Sequence, residues 1–336
     1  MRWWMLPLGL VGLALLAIVV GVVLLSIQDV GRYKKFIARK VSEKTGRELV
    51  IAGDFDLSIS FSPSIVANDV TFQNAAWGSE AEMLKLGHVE AEVELFPMLT
   101  GDIRVKRLIL EDLDLLIETN ADGLGNWEFG ERKASDEDED YDGGGDLPVI
   151  EDMRIENALL RFQDGQTGER HAVMISHAEG SSQDGEDVAF ALRGIWNNSP
   201  VDASGAIGAG DSDVPVALTV EMFGAVTNIN GTVGDLEEFE EVNLDIRIAG
   251  DKLSDLNVVA GSLPPIGPYT VQANLKDGDD DSFILDNFHA RIGESDLAGT
   301  LTMSIDDRPR LTADLTSSLL DLDALLAKNK DSAAGE

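Results

Sequence analysis

From Glu48 onward, apolar and polar residues alternate with a period of two. In residues 54–61, "DFDLSISF" places Phe55, Leu57, Ile59 and Phe61 on one side and Asp56, Ser58 and Ser60 on the other. Val89, Ala91, Val93 and Leu95 alternate with His88, Glu90, Glu92 and Glu94, and Leu113, Leu115 and Ile117 alternate with Asp114 and Glu118. The same rhythm returns in 216–222, 242–248, 271–275 and 297–305. Alternation of this kind predicts half-buried strands with one apolar and one hydrated face. Turn signals such as "AGD", "DGQTG" and "KDGDDD" separate them. The polar-out pattern argues against a parallel sheet covered on both faces. The expected fold class is mainly β, antiparallel, with few helices.

Before Glu48 the pattern differs. Trp3 to Gln28 carry no charge, and the run "LPLGLVGLALLAIVVGVVLLSI" is long enough to span about 30 Å of hydrocarbon as a helix. It exceeds the 7–15 apolar residues, roughly, of a cleaved signal peptide, so residues 1–29 are expected to form an uncleaved transmembrane signal-anchor. In "VGRYKKFIARKVSEKTG", Val30, Tyr33, Ile37 and Val41 have helical spacing and Gly46 is placed as a stop. Residues 30–47 therefore read as a basic amphipathic helix able to lie on either leaflet. "AEMLKLG" (81–87) and "LDLDALLAK" (320–328) read as further short helices. The remaining divisions are a β region over 48–130, an acidic flexible linker over 131–147, a second β region over 148–327 and a frayed tail over 328–336.

Charge sharpens this layout. The net charge is −35. Residues 1–47 hold eight Lys/Arg against Asp29 and Glu43, so a basic head joins an acidic body. An acidic body repels phosphates and excludes nucleic acid as the main partner, whereas a basic head suits anionic lipid headgroups. Arg2 stands on one side of the apolar run and Arg32, Lys34, Lys35, Arg39 and Lys40 on the other, so charge alone leaves the orientation open.

Catalytic constellations are absent from the sequence. It has no Cys and four scattered His, and no nucleophile elbow, phosphate loop, dinucleotide fingerprint or zinc-protease motif. Asp138, Asp140, Asp142 and Gly143 imitate the start of a calcium loop, but Val149 stands where its closing Glu belongs. The chain reads as non-enzymatic, without metal or cofactor.

Several motifs then fall in order. Thr45-Gly46-Arg47 precedes a strand bounded by Gly53, "LTG" follows at 99–101, and Gly125-Asn126-Trp127 closes the region. Later, "RIGESDLAGTLTMSIDDRPRLTADLTSSLLDLDALL" contains Gly299 and the pair Arg308-Pro309 between two strands. The chain resembles the AsmA family of bacterial envelope proteins from about residue 6 to 327. The resemblance implies an inner-membrane anchor with the body in the periplasm, and an elongated, curved sheet of the repeating β-groove type. It also implies phospholipid conduction and support of outer-membrane assembly and protein targeting to the membrane. The candidate lipid-facing residues are Phe55, Leu57, Ile59, Phe61, Val89, Ala91, Val93 and Leu95, for which ordinary core packing is the competing reading. The competing function is a non-enzymatic scaffold with a sealed core that binds outer-membrane assembly proteins through an edge strand.

Overall fold

A computed structural model describes residues 30–58, 62–94, 104–129, 149–182, 187–209, 213–235, 240–278, 282–304 and 310–325. The expected anchor (1–29), the acidic linker and the tail lie outside these residues. Among the described residues, no helix is long and apolar enough to cross a membrane. The chain forms two compact units, dividing between Gly185 and Glu186. The strands that follow the acidic segment up to that point therefore belong to the first unit.

The first unit opens with α1 (Val30–Thr45). Tyr33, Ile37 and Val41 are buried, and the helix lies against β1 (Leu49–Ile51) and β2 (Phe55–Ser58). Lys34 Nζ donates to the Gly53 carbonyl at 2.8 Å. This corrects the expectation of a helix free to lie on a leaflet, because its apolar stripe is spent on the sheet. Lys35, Arg39, Lys40 and Lys44 remain exposed.

β1 and β2 both pair with β3 (Ser64–Gln73), which pairs with β4 (Glu82–Val93) and then β5 (Arg104–Glu118), all antiparallel. β4 begins inside "AEMLKLG", so that segment is a strand, not a helix. Two irregularities, a register shift and a change of burial phase, gave it helical spacing. One falls between Phe72 and Gln73. The other falls at Gly87, where the flanking pairs place Asp69, Gly87, Asp112 and Asn157 on one line across the sheet. Asp69, Asp112 and Asn157 all have φ near +50°, and each strand changes phase there.

The expectation of an all-antiparallel sheet also needs correction. β6 (Val149–Ile150) and β7 (Asp152–Gln163) pair parallel with β5, and β8 (Arg170–Ser182) returns antiparallel to β7. Alternation reports which face is wet but not the direction of the neighbour. A parallel pair needs a crossover of a dozen or more residues, and the segment after β5 supplies the length. Arg161 fastens this junction. Its Nε donates to Asp114 Oδ1 at 2.9 Å and its guanidinium pairs with Glu80. The hydrogen bond to Glu80, then that to Asp114, holds Arg161 above its ordinary value.

The second unit is a nine-strand antiparallel meander: β9 (Val188–Trp196), β10 (Ser199–Ile207), β11 (Val214–Met222), β12 (Ala225–Val233), β13 (Asn243–Gly250), β14 (Tyr269–Asp277), β15 (Ser282–Ile292), β16 (Ser295–Ser304) and β17 (Arg310–Thr316). Each pairs with the next in sequence. Its described helices are single turns: a 3₁₀ turn (Leu253–Leu256), α2 (Asn257–Ala260) and α3 (Leu322–Leu325). The short helix expected near 320–328 is thus present. Val216, Val233, Val242 and Leu244 form its buried cluster.

One device recurs in this meander. A Cβ on Gly231 would lie 2.0 Å from the Asn243 carbonyl oxygen of the next strand, and one on Gly299 would lie 2.0 Å from that of Asp314. Both glycines have φ +153°. Gly205 makes a similar approach to Ala217, at 2.2 Å. These glycines let the following strand come closer than any side chain would allow.

Candidate functional site

Two arrangements stand out, one polar and buried, the other apolar and open. The buried one unites motifs that are distant in sequence. Asn126 is fully buried, and Glu118 and Asn74 nearly so. Asn126 Nδ2 donates to the Leu116 carbonyl at 2.9 Å and to Asn74 Oδ1 at 3.0 Å, while its Oδ1 accepts from the Glu118 backbone N–H at 3.1 Å. Asn74 Nδ2 and the Ser79 N–H donate to the Glu118 carboxylate at 2.7 and 2.8 Å. Buried polar groups of this kind persist only when so satisfied.

Arg47 closes this node from the other end of the region. Its guanidinium donates to the Asn126 carbonyl and lies 4.7 Å from the centre of the Phe129 ring, which meets Phe72 edge-on. Burial pushes Arg47 below its ordinary value. Thr45 Oγ1 returns to the Val41 carbonyl at 2.7 Å, and Gly46, with φ +70°, ends α1. Gly125 leaves room for the Trp127 indole, which a Cβ would meet at 2.3 Å. Gly53 passes equally close to Asn68 and Asp69. The Thr-Gly-Arg and Gly-Asn-Trp motifs are therefore a structural clasp between α1, β5 and the loop after β5. Arg308 and Pro309 lie outside the described residues.

The open arrangement is the apolar face of the second unit. Directly paired residues share a face in an antiparallel ladder. One transverse row runs from Val188 in β9 through Val216, Leu244 and Leu285 to Ala313 in β17, with an apolar residue or glycine in every strand. The other face carries Ser204, Thr219, Asn228, Arg247, Gln272 and His289 in successive pairing. Leu218, Ile229, Ile246, Ile248, Val271 and Leu297 are only half-buried, and Val188 and Met303 are exposed. Among the described residues of this unit, no helix longer than one turn is available to cover them.

The residues singled out from the sequence fare differently. Phe55, Leu57 and Val89 are half-buried, whereas Ala91 and Val93 are 3% and 4% exposed and act as core. Ile59, Phe61 and Leu95 lie outside the described residues. The more accessible apolar face is in the second unit, where the strands alternate in the same way. Among the described residues, no three His, Asp or Glu could hold a metal ion.

The Thr-Gly-Arg and Gly-Asn-Trp motifs that carry the AsmA resemblance are thus the two halves of one clasp. The AsmA family model matches residues 5–141, which contain the whole clasp. A curated relative, AsmA family protein YhjG of Escherichia coli (strain K12), is 26% identical over 358 residues, which is 93% of this chain and 51% of the relative. The chain thus spans about half the length of the curated relative it matches.

Proposed function

We propose that this is a non-enzymatic, envelope-associated protein that shelters phospholipid acyl chains on its apolar sheet face and so supports outer-membrane assembly and protein targeting. The apolar run at 3–28 anchors it in the inner membrane and its body occupies the periplasm. The observation that carries this reading is the nine-strand face with half-buried Leu218, Ile246 and Leu297 on one side and, on the other, a polar row across six of those strands, from Ser204 to His289. Each sheltered CH₂ contributes about 0.8 kcal/mol, so acyl chains bind such a face without any specific headgroup ligand. The match to the AsmA family model over residues 5–141 supports an envelope setting.

A photo-crosslinking residue at Ile246 or Leu218 is expected to capture phospholipid in intact cells, and one at Arg247, on the opposite face, to capture none. Adducts with protein alone at all three positions would sink the lipid reading and favour the sealed scaffold. A reporter active only in the periplasm, fused at the C-terminus, is expected to give signal. Signal from a cytoplasmic reporter instead would refute the placement.

A further inference from the structure

The rotation of α1 on the sheet is fixed by its own side chains. Tyr33, Ile37 and Val41 form its buried stripe, and the helix lies against β1 and β2. On one flank Lys34 Nζ donates to the Gly53 carbonyl, and just past its end Arg47 joins the clasp. A helix turns about 100° per residue, so Lys35 and Arg39, two positions either side of Ile37, stand on the side away from the sheet. Both are exposed, as are Lys40 and Lys44 on the other flank. The one acidic residue of the helix is Glu43, which pairs with Lys40 at 2.7 Å and lies 3.7 Å from Arg39. Half-buried Phe36 lies beside them, its ring centre 5.8 Å from the Arg39 guanidinium carbon.

We propose that this outer face docks on anionic phospholipid headgroups, with α1 as a wedge between the bilayer surface and the sheet. The apolar stripe is spent on the sheet, so the helix does not sink into the acyl boundary as an interfacial helix does. Contact is made by charge, through the cations of the outer face. Residues 48–336 carry more than the whole of the −35 net charge, so an anionic surface repels the body and attracts this helix. That asymmetry selects one approach. The uncharged run at 3–28 stops one residue before α1, which brings the helix to the headgroups when the run spans the bilayer. Phe36 gives the Arg39 stem apolar surface to lie on, as long cations use at an interface. Because α1 is fastened to β1 and β2, docking holds the start of the sheet at the bilayer surface. The inference uses the anchor proposed above but not the sheltering of acyl chains.

Each Lys or Arg held near an anionic leaflet strengthens attachment about fivefold, and the attraction fades beyond about 8 Å at physiological salt. Docking is therefore expected to need anionic lipid and to weaken as salt is added.

The chain has no Cys, so a fluorophore on Lys35→Cys reports this face alone. The labelled full-length chain is reconstituted with vesicles of phosphatidylcholine, with or without phosphatidylglycerol, and floated. It is expected to float with both. In the anionic vesicles acrylamide is expected to quench the label about half as strongly or less. Raising the salt should abolish the difference. So should Arg39→Gln, Lys40→Gln and Lys44→Gln together, with the circular dichroism unchanged. Equal quenching in the two vesicles refutes docking and leaves the anchor standing, and shielding that survives both high salt and the three Gln changes also refutes it. Flotation with anionic vesicles alone upholds docking and refutes the anchor, whereas flotation with neither refutes both. Shielding in phosphatidylcholine alone that disappears when the acidic residues of 136–142 are changed to their amides assigns the face to the chain's own acidic segment and overturns the proposal.

Discussion

Asn126→Leu is expected to destabilise the first unit by about 3 kcal/mol, because it removes both a donor and an acceptor from a fully buried site. The Glu118 backbone N–H loses Asn126 Oδ1, and the Leu116 carbonyl loses the Nδ2 donor. The Glu118 carboxylate also loses the support that holds Asn74 in place, since Asn74 bonds to both residues. Hydrogen exchange reads this locally. Protection in β5 and β1 should fall together, because Arg47 couples the start of β1 to the Asn126 carbonyl. Arg47→Ala should produce the same pattern with smaller amplitude. The double variant should cost less than the two single costs combined, as members of one network do. Wild-type protection in Asn126→Leu would show that the clasp is dispensable.

Gly231→Ala carries a comparable effect in the second unit by a different route. The added methyl would sit 2.0 Å from the Asn243 carbonyl oxygen and 2.9 Å from the Leu244 Cα. Both are backbone atoms, so no side chain can swing away. β12 and β13 must part, and the Val233–Leu244 cluster opens with them. A loss of about 3 kcal/mol or more is expected, in the range reserved for core disruption. Gly46→Ala is the matched control. Its φ is +70° but nothing lies within 4 Å of the new methyl, so it pays only the left-handed backbone term of about 1 kcal/mol. Thermal melts of the two variants should therefore separate clearly. A Gly231→Ala chain that melts like wild type would mean that the close approach is not required.

Much of the strand inventory was legible in the sequence because one face of each strand is wet. Val216–Met222 and Val242–Ile248 announce themselves by alternation alone. Met83 and Leu86 did not, since the break between Phe72 and Gln73 and the phase change at Gly87 give a strand the spacing of a helix. The parallel junction of β5 with β7 was also hidden, because a period of two is the same for either direction. At the candidate site, the motifs were visible but their contact was not. Arg47 and Asn126 are 79 positions apart, and spacing along a chain carries no information on such a meeting. Ala91 and Val93 alternate as cleanly as Ile246 and Ile248, yet the first pair is sealed and the second half-open. Alternation says that a side chain leaves water, and the number of layers above it decides for what.

The parallel pairing of β5 with β7 has one more consequence. Ten residue pairs, from Leu108–Met153 to Glu118–Gln163, join the two strands through their backbones, and none of these bonds runs through the acidic segment that links them along the chain. A protease nick at 131–147 would leave both fragments clamped edge to edge. By the same reasoning, a gene split there would yield two polypeptides that assemble one sheet, and a foreign domain inserted there would leave the register undisturbed. The most acidic stretch of the chain is thus its most replaceable join.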